Sequence, residues 1–167
     1  MRAFWAKIFI FAFTAIFTFP TSGAPKPNIV LFVSDDMGWN DVGYHGSKIA
    51  TPHIDRLVKD GMQLDRFYVH PICSPTRTAL MTGRVPARMG ITGVIGRSGG
   101  VPKDEHFLPQ TLKKGGYQTF MVGKWHLGSS ESEYTPNSRG FDYFFGFHGG
   151  GINYYNTESL RVRGWFR

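Results

Sequence analysis

The 167-residue sequence has a single cysteine, Cys73, and no Asn-x-Ser/Thr glycosylation site. Small secreted domains usually hold several cysteines paired in disulfides, so a lone cysteine excludes a disulfide scaffold and leaves a thiol whose role has to be explained. The sequence also lacks internal repeats and clusters of basic residues, although its net charge is +7. Since its Lys and Arg residues are scattered, we expect no nucleic-acid partner.

The first 24 residues differ in composition from the rest of the chain. Arg2 and Lys7 precede an apolar run from Ile8 to Phe19, and the small residues 22–24 follow it. This run is shorter than the roughly 20 residues that a membrane-spanning helix needs. The pattern predicts a signal peptide over residues 1–24, with a membrane anchor as the alternative. We therefore expect entry into the secretory pathway without stable membrane insertion.

The whole chain is 41% hydrophobic, which is typical of a globular protein. After residue 24, strand and helix patterns alternate. Continuous β-branched or aromatic runs predict strands over residues 28–34, 64–69 and 118–122. Capping residues, prolines and glycines predict helices that begin at Pro52 (after Thr51) and at Pro75 (after Ser74), and a third over Leu108–Lys114. The glycine-rich stretch at 149–151 is typical of a loop. This alternation predicts an α/β fold with a mostly parallel sheet.

Polar groups follow three strand ends, the edge of an open α/β sheet where ligands bind. Asp35 and Asp36 come directly after the first predicted strand. Two buried carboxylates without a partner would be costly, and a hard divalent cation would neutralise both. The alternative, in which one Asp caps a loop and the other is solvated, is equally compatible with the pair alone.

Cys73 precedes a predicted helix, where free N–H groups and the helix dipole favour negative charge. Arg77 lies four residues later, on the same helix face, and could meet an oxyanion there. Lys124 and His126 follow the third strand at a spacing of two, which places them on one face of an extended chain. Such a Lys–His pair alone is more often an ordinary surface feature. His70 and His148 are further candidates among the remaining histidines.

At Cys73-Ser-Pro-Thr-Arg-Thr-Ala-Leu-Met-Thr-Gly83 the sequence resembles the first sulfatase signature, and at Gly116-Tyr-Gln-Thr-Phe-Met-Val-Gly-Lys-Trp-His126 the second. The Asp-Asp-Met-Gly start and the Gly140–Gly146 segment extend this resemblance to the branch of arylsulfatase A and N-acetylgalactosamine-6-sulfatase. Thr76 stands where many members have Ser. The resemblance implies an alkaline-phosphatase-like fold, a mostly parallel sheet flanked by helices, of which residues 25–167 would be the N-terminal part.

The resemblance further implies that a formylglycine-generating enzyme of the secretory pathway oxidises Cys73 to Cα-formylglycine, after reading the Cys-x-Pro-x-Arg core. The hydrated aldehyde, a gem-diol, would attack the sulfur of a sulfate monoester, an aryl sulfate or a sulfated glycan or lipid. Arg77 would stabilise the deprotonated diol, Lys124 the sulfate oxygens, and His126 would hold the second hydroxyl.

In the same scheme Asp35, Asp36 and the modified Cys73 would ligate one Ca²⁺ or Mg²⁺. Calcium takes six to eight oxygen ligands. Family members complete the metal site with an Asp-Asn pair, and the sulfate pocket with a further His and Lys, all far downstream of the positions present here. We therefore expect a truncated catalytic domain, inactive and poorly stable by itself, with a lysosomal or extracellular location.

Two other hypotheses remain open from the sequence. A phosphoryl or phosphonate hydrolase of the same superfamily would share the fold, although such members usually present Ser or Thr as the nucleophile. A catalytically inactive protein that binds sulfated ligands would retain the same charged residues and an unmodified Cys73 thiol.

Overall fold

The computed structural model describes residues 25–153 and residue 155, which fall into two compact units divided between Ser34 and Asp35. The predicted signal peptide lies outside the described residues. Within the first unit, residues 25–34 contain no helix or strand, so the strand predicted over 28–34 is wrong. A segment becomes a strand only when its backbone hydrogen-bonds a neighbour. Among the described residues, no helix is long and apolar enough to cross a membrane.

The second unit contains three helices and two strands within its described part. The helices are α1 (Pro52–Asp60), α2 (Cys73–Thr82) and α3 (Leu108–Lys114), and the strands are β1 (Phe120–Lys124) and β2 (Tyr143–Phe147). Short 3₁₀ turns occur at Trp39–Asp41, Gly43–His45, Pro86–Met89 and Ser132–Tyr134.

All three predicted helices are present, but their caps differ from the prediction. Helix α2 begins at Cys73 rather than Pro75, and the Ser74 side chain does not cap it. Thr51 holds the N-cap position of α1 without a capping bond, because its hydroxyl donates to the Asp55 carboxylate instead. At the other end of α2, Gly83 has φ 67° and donates to the Ala79 carbonyl, a left-handed helix end that glycine favours.

The sheet of the described residues consists of β1 and β2, paired in parallel with Phe120 opposite Tyr143 and Lys124 opposite Phe147. Strand β1 lies two residues later than the predicted 118–122, and β2 was not predicted. The strand predicted over 64–69 is wrong, since this segment is exposed and contains a turn at residues 65–66. The parallel pair agrees with the predicted sheet type.

The hydrophobic core of the second unit includes residues that directly follow β1. Its fully buried members are Val101, Phe107, Trp125, Leu127 and Phe144. The Trp125 indole N–H donates to the carbonyls of Gly128 and Tyr134, at 3.0 and 2.9 Å. Because Trp125 is the residue between Lys124 and His126, its burial fixes the backbone that carries these two candidate side chains.

Arg139 ties the loop before α3 to this core. Its guanidinium is buried (3% exposed), lies 4.8 Å from the Phe107 ring centroid, and donates to the carbonyls of Val101, Pro102 and Lys103. We expect Arg139→Ala to lower the free energy of unfolding by about 3 kcal/mol, because several buried carbonyls lose a charged donor together. Urea unfolding followed by tryptophan fluorescence would measure this loss.

Arg56 offers the matched control for Arg139. It pairs with Asp60 at 3.3 Å, but its side chain is 80% exposed, so Arg56→Ala should change stability little. Arg139→Lys should not restore stability, because one ammonium group cannot span the carbonyls that the planar guanidinium reaches. Equal losses in the Arg139→Ala and Arg56→Ala variants would contradict this account of the core.

Candidate functional site

Three of the predicted site residues form a charged cluster at the end of β1. The Lys124 ammonium donates to Asp35 Oδ2 at 2.7 Å, and an Arg77 guanidinium nitrogen lies 3.8 Å from the same oxygen. Arg77 also donates to the main-chain carbonyl of Lys124 at 2.6 Å. Both cationic side chains are only 11% exposed. Lys124 therefore meets Arg77, 47 residues away in the sequence, and Asp35, 89 residues away.

Two further site residues meet beside this cluster. The Cys73 sulfur lies 3.2 Å from Nδ1 of His126, across 53 residues of sequence. Cys73 is the first residue of α2, where the helix dipole and the free N–H groups favour negative charge. The structure thus places a polarisable thiol at a helix N-terminus in direct contact with an imidazole.

Asp36 and His126 share an unusual backbone conformation. They are the two non-glycine residues with positive φ in the described part of the chain, at 55° and 58°. Left-handed backbone at such residues is strained and tends to occur at functional sites. Lys124 and His126 are therefore not held on one extended face as predicted. Instead, the chain turns at His126, whose N–H donates to the His148 carbonyl at 3.0 Å.

The charges in the cluster alter the proton affinities of its members. The hydrogen bond from Lys124 is the main cause that lowers the pKa of Asp35, so this carboxyl group stays ionised at neutral pH. Burial is the main cause that lowers the pKa of His126, and the nearby charges of Lys124 and Arg77 act in the same direction. His126 is therefore a neutral imidazole at pH 7, able to accept or pass a proton.

The lowered histidine pKa values make stability depend on pH. In the unfolded chain His126 and His148 should titrate near pH 6.5, whereas burial lowers the pKa of both in the folded chain. Below about pH 6.5 the unfolded state binds protons that the folded state does not, so we expect stability to fall as the pH decreases from there. Asp35 affects stability only at lower pH, because its pKa in the folded chain is below the value of about 3.9 expected in the unfolded chain. Its contribution to stability is lost as the pH falls below about 3.9.

Urea unfolding midpoints at pH 7.5, 6.5 and 5.5 would test this dependence. His126→Gln and His148→Gln should each weaken the decrease, because glutamine does not titrate. A wild-type midpoint that stays level between pH 6.5 and 5.5 would contradict the predicted burial of neutral imidazoles.

The donor set for a divalent cation is present in part. Asp35 and Asp36 offer hard oxygen ligands of the kind that Ca²⁺ and Mg²⁺ prefer. Among the described residues, however, no group of three or more His, Cys, Asp or Glu side chains is arranged to hold a metal ion. The two carboxylates are therefore suitable ligands for such an ion, but they are too few to hold it alone. In this structure Lys124 and Arg77 form ion pairs with Asp35.

The main-chain carbonyls of two remaining sequence candidates, His70 and His148, contact residues of this region. The His70 carbonyl accepts a hydrogen bond from the Thr76 hydroxyl at 2.8 Å. His148 is buried, and its carbonyl holds the His126 N–H. Ser74, predicted only as a cap, is fully buried and donates its hydroxyl to the His126 carbonyl at 3.0 Å. No sequence signal distinguishes this long-range contact from capping.

Segments 73–83 and 116–126, which carry the sulfatase resemblance, supply Arg77 and Lys124 of the cluster and the adjacent Cys73 and His126. The Sulfatase family model matches residues 27–163 of the chain. The chain belongs to the sulfatase family. Mouse arylsulfatase J is 44% identical over 138 residues, covering 81% of this chain and 23% of that protein. Rat N-acetylgalactosamine-6-sulfatase is 46% identical over 138 residues, covering 75% and 26% respectively.

The comparison with solved structures extends this relationship to the fold. The crystal structure of Ps i-CgsB is 48% identical with a TM-score of 0.73, covering 78% of this chain and 30% of that one. The same protein has been solved in complex with k-i-k-neocarrahexaose. The small parallel sheet with its helices is thus part of an alkaline-phosphatase-like sulfatase domain. The chain spans about a quarter of the length of the curated relatives it matches.

Proposed function

We propose that this chain provides the nucleophile and the sulfate-binding cations of a sulfatase that hydrolyses a sulfate monoester, an aryl sulfate or a sulfated glycan or lipid. The observation that carries the proposal is the meeting of Cys73 with His126 at 3.2 Å, beside the Lys124–Asp35–Arg77 cluster. Family membership supports the ester class, and the geometry supports the roles of individual residues.

The cations are suited to bind a sulfate group. Arg77 and Lys124 are largely buried and fixed, Arg77 by its bond to the Lys124 carbonyl and Lys124 by its bond to Asp35. Donors held in place in this way stabilise charge that develops on oxygen without having to reorganise. In the proposed enzyme, Lys124 binds the sulfate oxygens and Arg77 stabilises negative charge at the nucleophile.

His126 is suited to handle a proton at the nucleophile. Its Nδ1 contacts the atom of residue 73 that is a thiol here and that would be an oxygen of the hydrated aldehyde in the matured protein. Since its pKa is lowered, the imidazole is neutral and can accept a hydrogen bond or take a proton at pH 7. We therefore assign His126 to hold the hydroxyl at this position and to move its proton.

Two groups absent from the chain as it is translated belong to the proposal. Cα-formylglycine at position 73 would supply a hydrated aldehyde, one hydroxyl of which would be the nucleophile while the other would expel sulfate and restore the aldehyde. Asp35 and Asp36 would hold a Ca²⁺ or Mg²⁺ ion, whose Lewis acidity polarises the sulfate. The proposal accordingly includes a formylglycine-generating enzyme as a maturation partner and passage through the secretory pathway to the lysosome or the extracellular space.

Conversion of Cys73 can be tested directly on the secreted chain. Trypsin releases residues 67–77 as one peptide with Cys73 inside it. After co-expression with a formylglycine-generating enzyme, we expect this peptide to have the mass of the aldehyde form, and expression without that enzyme provides the control. A peptide that retains its thiol under both conditions would contradict the proposed maturation.

A protein that binds sulfated ligands without turnover is the second candidate function. The partial donor set for a metal favours it, because the cations Arg77 and Lys124 are in place while the described residues hold no three-ligand group. Calorimetry with a sulfated oligosaccharide on the unmodified protein would reveal such binding. Binding together with an intact Cys73 thiol and no sulfate release would favour this candidate over hydrolysis.

A further inference from the structure

His126 adopts a left-handed backbone conformation, which is uncommon for a residue other than glycine. Its φ of 58° costs of the order of 1–3 kcal/mol for a residue other than glycine, and such a conformation persists only where surrounding contacts impose it. One of these contacts is the bond from its N–H to the His148 carbonyl. Two others, to Ser74 and Gly150, act on the carbonyl and on the ring.

Ser74 holds the His126 backbone from the residue next to the nucleophile. Its side chain is fully buried; the hydroxyl donates to the His126 carbonyl and accepts from the Ile95 N–H, both at 3.0 Å. Burial lowers the pKa of the His126 ring, whereas the Ile95 backbone raises it to a smaller extent. Ser74 therefore binds the His126 carbonyl and the Ile95 N–H with one hydroxyl. Since Ser74 is bonded to Cys73 in the chain, it also fixes the distance between the imidazole and the nucleophile.

Gly150 lies against the other side of the same imidazole. A Cβ atom at position 150 would lie 2.7 Å from Cε1 and 3.0 Å from Nε2 of His126, closer than van der Waals contact allows. By contrast, a Cβ atom at Gly149 or Gly151 would meet no atom within 4 Å. Of these three glycines, only Gly150 must lack a side chain for the His126 ring to keep its position.

We propose that Ser74 and Gly150 are positioning residues that hold the His126 imidazole against the nucleophile at position 73. Ser74 fixes the backbone of His126, and the bare backbone of Gly150 leaves room for its ring. The catalytic meaning of this arrangement rests on the proposed sulfatase function. The position of the imidazole itself can be tested without catalysis, by measuring the reactivity of the Cys73 thiol.

The first experiment uses the single thiol of the unmodified 167-residue chain. Iodoacetamide alkylation of Cys73 at a fixed pH is measured for the wild type, Gly150→Ala, Gly149→Ala, Gly151→Ala and His126→Ala. Thiol reactivity follows its local polar surroundings, so loss of the His126 contact in His126→Ala should change the rate by roughly threefold or more. We expect Gly150→Ala to move the rate toward that of His126→Ala and both glycine controls to stay at the wild-type rate.

Two results would overturn the role of Gly150. One is a wild-type alkylation rate in Gly150→Ala, and the other is an equal change in all three glycine variants. Urea unfolding accompanies each measurement, since a displaced ring should alter reactivity with little effect on the midpoint. These alkylation rates test the position of the His126 ring without any substitution at the buried Ser74.

The second experiment measures turnover in the longest protein that the gene encodes, matured with a formylglycine-generating enzyme. Ser74→Ala leaves the Cys-x-Pro-x-Arg core intact, so conversion at Cys73 should remain complete. We expect kcat to fall about 10- to 100-fold, as for a misplaced catalytic group, with KM within about twofold of wild type. Ser74→Thr, which keeps the hydroxyl, should recover most of this loss.

The two experiments fail separately. If the matured wild type releases no sulfate from any ester, the proposed function fails while the alkylation rates still test the positioning of His126. If the wild type is active and Ser74→Ala retains full kcat, the positioning role of Ser74 is wrong while the sulfatase function stands.

Discussion

Replacing Cys73 with alanine is expected to abolish sulfate-ester hydrolysis while leaving the fold in place. The side chain of Cys73 is outside the buried core cluster, and alanine is the residue most favourable to helices, so α2 should still begin at position 73. The loss comes from the chemistry, because no aldehyde can form on alanine and no nucleophile remains for the covalent step. In the longest protein that the gene encodes, matured with a formylglycine-generating enzyme, we expect activity at the background rate with an unchanged unfolding midpoint.

Cys73→Ser is the informative partner of this variant. Serine keeps a small polar group that can contact His126 Nδ1, but it offers no thiol for the maturation enzyme to oxidise. We therefore expect it to be as inactive as Cys73→Ala. Because Cys73 is the single cysteine of the 167-residue chain, titration of free thiol on this chain reports its converted fraction directly. Wild-type turnover in either variant would rule out residue 73 as the precursor of the nucleophile.

The helices could be predicted from local signals, whereas β1 was the one observed strand that was predicted, with bounds two residues too early. Helix α3 has the predicted bounds, with Pro109 in its first turn and Gly115 after its end, because these residues act within one or two turns of chain. The strands predicted at 28–34 and 64–69 have suitable composition but no hydrogen-bonded neighbour among the described residues. Strand β2 was missed because its glycine and aromatic residues resemble those of a loop until β1 lies beside it.

The composition of the site could be predicted further than its geometry. Spacing and resemblance together named the residues that the structure brings together at the end of β1 and the start of α2. The left-handed backbone of His126 and the link from Ser74 to its carbonyl could not be foreseen, because they depend on the bond to the His148 carbonyl and on a contact across 52 residues. The sequence around Ser74 does not distinguish a helix-capping serine from one whose hydroxyl binds a distant carbonyl.

Lys124→Ala is expected to lower kcat/KM about 100- to 1000-fold, the loss that follows removal of one fixed donor to a developing oxyanion. The variant removes the ammonium group but not the Lys124 carbonyl, so the bond that Arg77 donates to this carbonyl should remain. Lys124 is also outside the Cys-x-Pro-x-Arg core, and conversion of Cys73 should be complete. The loss would therefore report sulfate stabilisation rather than maturation or folding.

Lys113 provides a matched control for Lys124. Its ammonium group donates to Asp142 at 2.6 Å, much as that of Lys124 donates to Asp35 at 2.7 Å, but its side chain is 45% exposed and lies at the end of α3. Lys113→Ala should leave kcat/KM within about twofold of wild type, because an exposed ion pair contributes little. Comparable losses in the two lysine variants would mean that general charge attracts the substrate. A large loss only in Lys124→Ala would place the sulfate at the Lys124–Asp35–Arg77 cluster.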